Sequence, residues 1–257
     1  MAIGDCPTIS SQALPPAESA TFLKSSFFSR NGPGAELPSP ANVREQGAVQ
    51  DPASKGRDFG FQPVRYEQLG LIVKYGRAPQ VTVAEGQSLW ALRRVLPAVP
   101  VPEVYGWTHD NGQVFIYMEL VKGVTLEQRW EFLDQTERVE ICEQLRVIIL
   151  ELRKVRHAPG DFFLDPYRNS MPDDAEVVFT HADLHPSNIL VSEDSPSKIS
   201  AIIDWRQSGW YPDYWEFCKA QYTADVHGEW MNVYISLFLN EPSCLEAWEF
   251  YARSFGY

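Results

Sequence analysis

The sequence has no C-x-x-C pair. Its four cysteines, Cys6, Cys142, Cys218 and Cys244, are scattered, which excludes a zinc-finger spacing and a disulfide scaffold and fits a reducing compartment. No apolar run approaches the roughly 20 residues that span a bilayer. The first residues lack a basic stretch followed by an apolar core, so no secretory signal is expected. Basic residues are outnumbered, with 22 Lys and Arg against 34 Asp and Glu and a net charge of −12. Nucleic-acid and anionic-membrane partners need a basic footprint, and neither is expected here. Internal repeats and long low-complexity tracts are also lacking. These absences describe a cytoplasmic globular protein with no nucleic-acid or membrane partner.

The chain has 257 residues, 44% hydrophobic and 22% charged, enough for one large domain or two modest lobes. Thr21–Ser29 reads as a short helix or an edge strand with aromatics for packing. Residues 31–60 read mainly as loop, with one helical turn around Ala41–Gln46. Leu69–Tyr75 is a strand that carries Lys74. Thr82–Leu96 is a helix with an apolar face. Within it Glu85 has two roles open, a capping box with Thr82 and an ion pair with Lys74. Val101–Trp107 and Val114–Met118 are strands joined by a hairpin at Asp110-Asn111-Gly112. Met118–Gly123 then reads as a connector. Thr125–Phe132 is a short helix, and Thr136–Val155 is a long one with Val139, Cys142, Leu145, Ile148, Ile149 and Leu152 on its buried stripe. Trp215–Asp225, Glu229–Phe238 and Ser243–Ser254 read as further helices. Asp213, Glu216, Asp225 and Glu229 form either a solvated helical face or a lining for a cationic ligand.

The densest chemistry lies between Val177 and Trp205. Apolar runs at Val177–Thr180, Ile189–Val191 and Ile199–Ile203 read as short strands. The loop between the first two carries His181, Asp183 and Asn188, and the last run leads into Asp204. Asp183, Asn188 and Asp204 offer hard oxygen ligands of the kind that suit Mg²⁺. The His-x-Asp-x-x-x-x-Asn spacing followed by a strand-borne Asp matches the core of phosphoryl-transfer kinases. A metal-dependent hydrolase built on His181-x-Asp183-x-His185 is the competing chemistry.

The run Phe179–Val191 resembles the catalytic loop of the aminoglycoside phosphotransferase and choline kinase group. Ile202-Ile203-Asp204-Trp205 resembles that group's metal-binding segment, and Gly209–Glu216 the extension of a fungal branch. Leu71–Gly76 and Phe115–Leu120 are similar to its lysine strand and hinge. The resemblance spans roughly residues 60–257. It implies an α+β, two-lobed protein kinase-like fold with a small, mostly antiparallel β N-lobe and a mainly helical C-lobe. The expected boundaries are an irregular N-terminal extension over 1–56, an N-lobe over 57–121 and a C-lobe over 122–257. It further implies ATP and Mg²⁺ as cofactors and a small molecule as acceptor. Lys74 takes the nucleotide phosphates, Glu85 orients Lys74, and the backbone at Glu119 and Val121 meets the adenine. Asp183 is the base or orienting carboxylate, Asn188 and Asp204 hold the metal, and His181 supports the loop.

Three features depart from the group. No G-x-G-x-x-G loop precedes Lys74, Ala182 stands where Gly is frequent, and the segment from Arg156 to Val177 is short. Two functions follow: an ATP- and Mg²⁺-dependent phosphotransferase acting on a small-molecule hydroxyl, or a catalytically weak or inactive nucleotide-binding relative. A protein kinase is disfavoured, because no Ala-Pro-Glu signal follows Asp204.

Overall fold

The computed structural model describes residues 7–32, 34–54, 62–157, 175–246 and 248. Cys6, most of the short connection before Val177 and most of the expected helix Ser243–Ser254 lie outside them. The chain divides into two units, one of Leu14–Arg94 with Val101–Lys122, the other of Met1–Ala13, Val95–Pro100 and Gly123–Tyr257. A short strand, β1 (Thr8–Ile9), belongs to the second.

The first unit is built on a five-stranded antiparallel sheet. Its strands are β2 (Ala20–Thr21), β3 (Val64–Tyr66), β4 (Leu71–Gly76), β5 (Val104–Asp110) and β6 (Gln113–Glu119), in the order β2-β5-β6-β4-β3. The β5–β6 hairpin turns at Asn111 and Gly112, with φ of 50° and 72°. Positive φ at both central residues is the type I′ geometry that Asn-Gly favours and that matches strand twist. Both readings of Thr21–Ser29 hold, since β2 edges the sheet and α1 (Ser26–Asn31) follows. Phe27 of α1 and Val43 of α2 (Pro40–Gln50) join Leu71, Val73, Tyr75 and Phe115 in one apolar core. So part of the stretch expected to be an irregular extension packs into the sheet.

The helix α2 has 11 residues where a single turn was expected. Ser39 caps it by accepting the Asn42 N–H, and Pro40 supplies the pre-set φ of a first helical position. It buries only Val43 and Gly47, so it shows no apolar stripe in the sequence. The third helix, α3 (Val83–Val95), lies where expected and buries Leu89 and Leu92.

The second unit is mainly helical. A small sheet joins β7 (Val124–Thr125), and a Thr125–Gln128 capping box starts α4 (Leu126–Arg129). The long helix α5 (Gln135–Leu152) begins at Asp134, which forms the capping box with Glu137, rather than at Thr136. Its buried stripe contains Ile141 with Cys142, Leu145, Ile148, Ile149 and Leu152, whereas Val139 is exposed. The strand β8 (Arg156–His157) pairs in parallel with β1. The strands β9 (Val177–Thr180), β10 (Ile189–Val191) and β11 (Ile199–Ile202) form as read, with β10 between β11 and β7. Unanticipated is β12 (Gly209–Pro212), antiparallel to β9, with Trp210 edge-on to Phe179 at 5.2 Å. The helices α6 (Trp215–Thr223) and α7 (Ile235–Phe238) follow, with a π-helical turn at Trp230–Tyr234 before α7. No helix among the described residues is long and apolar enough to cross a membrane.

Candidate active site

Strand register decides where Lys74 points. In β4, Leu71, Val73 and Tyr75 are buried on one face, and Lys74 alternates to the other. There it lies opposite Ile116, which pairs in turn with Trp107. Gly86 of α3 rests against these same two side chains, so Lys74 faces α3. One residue before Gly86, Glu85 points its carboxylate at the lysine, with Nζ to Oε1 at 2.8 Å. The side chains are 16% and 1% exposed. A lysine in a Leu-Ile-Val strand is tolerated because its charge is met by a buried carboxylate.

At the end of β6, the Glu119 N–H donates to the Glu103 carbonyl and the Leu120 N–H to the Gly70 carbonyl. Among the described residues, no hydrogen bond involves the Val121 backbone. Of the two connector positions named for adenine, Val121 thus keeps both backbone groups to offer, while the Glu119 N–H is occupied.

His181, Asp183, Asn188 and Asp204 come together in the second unit. Fully buried His181 accepts the Asp183 N–H at Nδ1 (3.2 Å), so its proton sits on Nε2, which donates to the Ile203 carbonyl at 3.0 Å. This ring thereby ties Asp183 to the end of β11. The Trp205 ring stands edge-on to it at 4.6 Å and donates Nε1–H to the Ile202 carbonyl. Asn188 donates its amide to the Asp183 carbonyl at 2.8 Å and to Asp183 Oδ2 at 3.2 Å. Its backbone carbonyl accepts the Ile203 N–H at 2.9 Å. Asn188 therefore sits between Asp183 and the residue before Asp204. Ala182 and Asp204 adopt left-handed backbone, with φ of 63° and 60°. Such a conformation costs an L-residue about 1–2 kcal/mol, least for Gly and little for Asp or Asn.

Two groups in this site were not given their place by the sequence: Glu216, expected on a solvated helical face or lining a cationic ligand, is buried, and Lys219 was not singled out. Glu216 of α6, 3% exposed, accepts the His181 N–H at 2.8 Å and the Ala182 N–H at 3.0 Å. It holds the strained turn at Ala182 from below. Burial pushes its carboxyl up to about 7, against the pull of those two N–H groups and of Arg153, with Asp183 adding to the rise. One turn later on the same helix face is Lys219, 7% exposed. Burial lowers its pKa, Arg206 adds to the fall, and Asp183 and Glu216 oppose it. Their sequence signal was a pair of charges spaced i, i+3 inside Trp215-Glu216-Phe217-Cys218-Lys219-Ala220, all of which are buried.

Residues 161–248, about a third of the chain, match the phosphotransferase enzyme family. An aminoglycoside-3′-phosphotransferase of type VIII superposes with a TM-score of 0.50 at 18% identity, covering 82% of this chain and 93% of the other. The protein of the streptomycin–ATP–APH(2″)-IIa ternary complex gives 0.52 at 13% identity, covering 84% and 87%. The chain has a two-lobed α+β kinase-like fold. No curated protein sequence matches it.

Against this kinase-like frame the donor set fits magnesium. Asn188 commits its amide nitrogen to Asp183, which leaves its oxygen for a cation, and Asp204 follows the residue bonded to the Asn188 carbonyl. One carboxylate and one amide oxygen suit an ion that retains waters and phosphate ligands. The hydrolase reading does not fit. Both His181 nitrogens are engaged, His185 Nδ1 meets Ser187 Oγ at 2.8 Å, and among the described residues no three His, Cys, Asp or Glu side chains gather as a metal site.

Proposed function

We propose that the protein transfers the γ-phosphoryl group of ATP, with Mg²⁺, to a hydroxyl of a small molecule. Asp183 orients that hydroxyl and takes its proton. The hydroxyl oxygen bonds to the γ-phosphorus as the bond from phosphorus to the β–γ bridging oxygen breaks, and ADP leaves. Lys74, oriented by Glu85, neutralises nucleotide phosphate oxygens, and the Val121 backbone, next to Glu119, offers hydrogen bonds to adenine. Asn188 and Asp204 hold Mg²⁺, which when bound supplies positive charge to the phosphates. His181 positions Asp183 through its backbone. Phosphoryl transfer demands mainly alignment and charge neutralisation, and these residues supply both.

The observation that carries this reading is Asn188. Its side-chain amide engages Asp183 and its backbone carbonyl accepts the N–H of Ile203, the residue before Asp204, so one residue links the segment of the hydroxyl-facing carboxylate to that of the metal-binding carboxylate. Transfer from labelled ATP to an acceptor panel tests it. Asp183→Asn should lower kcat about 10²–10⁴-fold, the usual worth of a positioned base, with the melting temperature within a few degrees of wild type. An unchanged rate in that variant overturns the assignment. Mg²⁺-dependent ATP binding without transfer to any acceptor favours the inactive alternative.

A further inference from the structure

Aminoglycosides are polycations, so an acceptor of that kind needs carboxylates free to meet it. Of the four that the sequence reading offered as such a lining, Asp213, Glu216, Asp225 and Glu229, Asp213 is exposed and the other three are engaged. Glu216 accepts two backbone N–H groups of the catalytic loop. Glu229 meets Arg138 at 2.7 Å. Asp225 accepts the His227 N–H at 3.0 Å. Two cations, Lys219 and Arg206, stand in the same region of the second unit. Lys219 lies within electrostatic reach of Asp183, Glu216 and Arg206. Arg206 is exposed, two residues beyond Asp204. Among the described residues, neither side chain has an ion pair or hydrogen bond. A lysine side chain buried to this degree, 7% exposed, with no contacting carboxylate is held at a cost. That penalty is relieved when an anionic oxygen binds beside it, and buried charges of this kind mark functional sites.

We propose that Lys219, aided by Arg206, recognises a negatively charged group on the acceptor, so that the substrate is an anionic hydroxy compound, a hydroxy carboxylate or a hydroxyalkyl phosphate. This rests on the phosphotransferase reading. Lys219 acts as a point charge in a water-poor setting, and Arg206 adds a second cation from the exposed side.

The test is transfer from labelled ATP to glycerate, glycerol 3-phosphate, glycerol, choline and kanamycin. Glycerate and glycerol 3-phosphate separate carboxylate from phosphate recognition. At least one of these two should be phosphorylated with kcat/KM at least 100-fold above the neutral and cationic members. Lys219→Met should raise KM for that acceptor at least tenfold while changing KM for ATP less than threefold, and Lys219→Arg should recover most of the loss. Arg206→Gln, at an exposed position that does not endanger the fold, should shift the same KM in the same direction. Preference for choline or kanamycin overturns the inference. So does a uniform fall in kcat in Lys219→Met with acceptor KM unchanged. No transfer to either anion by protein that binds Mg·ATP in calorimetry also overturns it. Failure to bind Mg·ATP at all overturns the phosphotransferase reading instead, and this inference with it.

Discussion

Replacing Glu216 by Gln probes the support beneath the loop from His181 to Asn188, and its effect should depend on pH in a calculable way. In the wild-type protein burial raises the Glu216 carboxyl from an ordinary 4.5 to about 7. The folded state therefore holds a proton that the unfolded chain releases between those values. Its contribution is fully present below about pH 4.5 and is lost as pH rises through about 7. Between pH 8 and pH 5.5 the gain is about 2 kcal/mol, since pH 5.5 lies about 1.5 pH units below the folded value at about 1.4 kcal/mol each. The amide introduced by Glu216→Gln does not titrate, so the pH dependence of the difference between the two proteins reads this contribution together with the coupling of Glu216 to Asp183 and Lys219. A pH-independent loss adds to it: the amide nitrogen of glutamine cannot accept, so one buried N–H of His181 or Ala182 is left unmatched at about 1–3 kcal/mol. Melting curves at pH 8 and pH 5.5 read the result. At about 2–4 °C per kcal/mol for a chain of this size, the advantage of wild type over Glu216→Gln should widen by about 4–8 °C on acidification. A constant gap, or one that narrows at pH 5.5, refutes the reasoning. It would mean that the two N–H donors hold the carboxylate ionised despite its burial.

Other perturbations follow from the same geometry. Glu85→Gln removes the charge 2.8 Å from Lys74; it should raise KM for ATP about tenfold and lower stability to urea by up to about 3 kcal/mol, as breaking a buried pair does. Gly123→Ala should destabilise the protein by at least about 3 kcal/mol in denaturant titration, because φ there is 133° and the added Cβ would lie 2.4 Å from the Val191 carbonyl oxygen.

What could be read in the sequence was local. The strand carrying Lys74, the helix carrying Glu85 and the Asn-Gly hairpin announce themselves through period and turn chemistry. So does the loop from His181 to Asn188, because its donors and acceptors are fixed by spacing along a few residues. The parts that were missed depend on distant contacts. Glu216 sits on a helix whose charges suggest a solvated face, and its burial is decided by N–H groups 35 and 34 residues earlier in the chain. Whether α5 buries Val139 or Ile141 depends on which face meets the core, since both suit a helical period. The length of α2 was hidden because a helix that buries two residues has no stripe, although Ser39-Pro40 marked its start. Pairing with β9 makes a strand of Gly209–Pro212, whose Gly and Pro suggest a turn when read alone. Ala182 in left-handed backbone explains why glycine is the easier residue at that position in the resembling group.

The most direct test of the central claim is calorimetric titration of the protein with ATP in the presence and absence of Mg²⁺, repeated on Asp204→Ala. The account predicts ATP binding that Mg²⁺ tightens in the wild type and that loses its Mg²⁺ dependence in the variant. ATP binding indifferent to Mg²⁺ in both proteins, or no ATP binding in either, would contradict it.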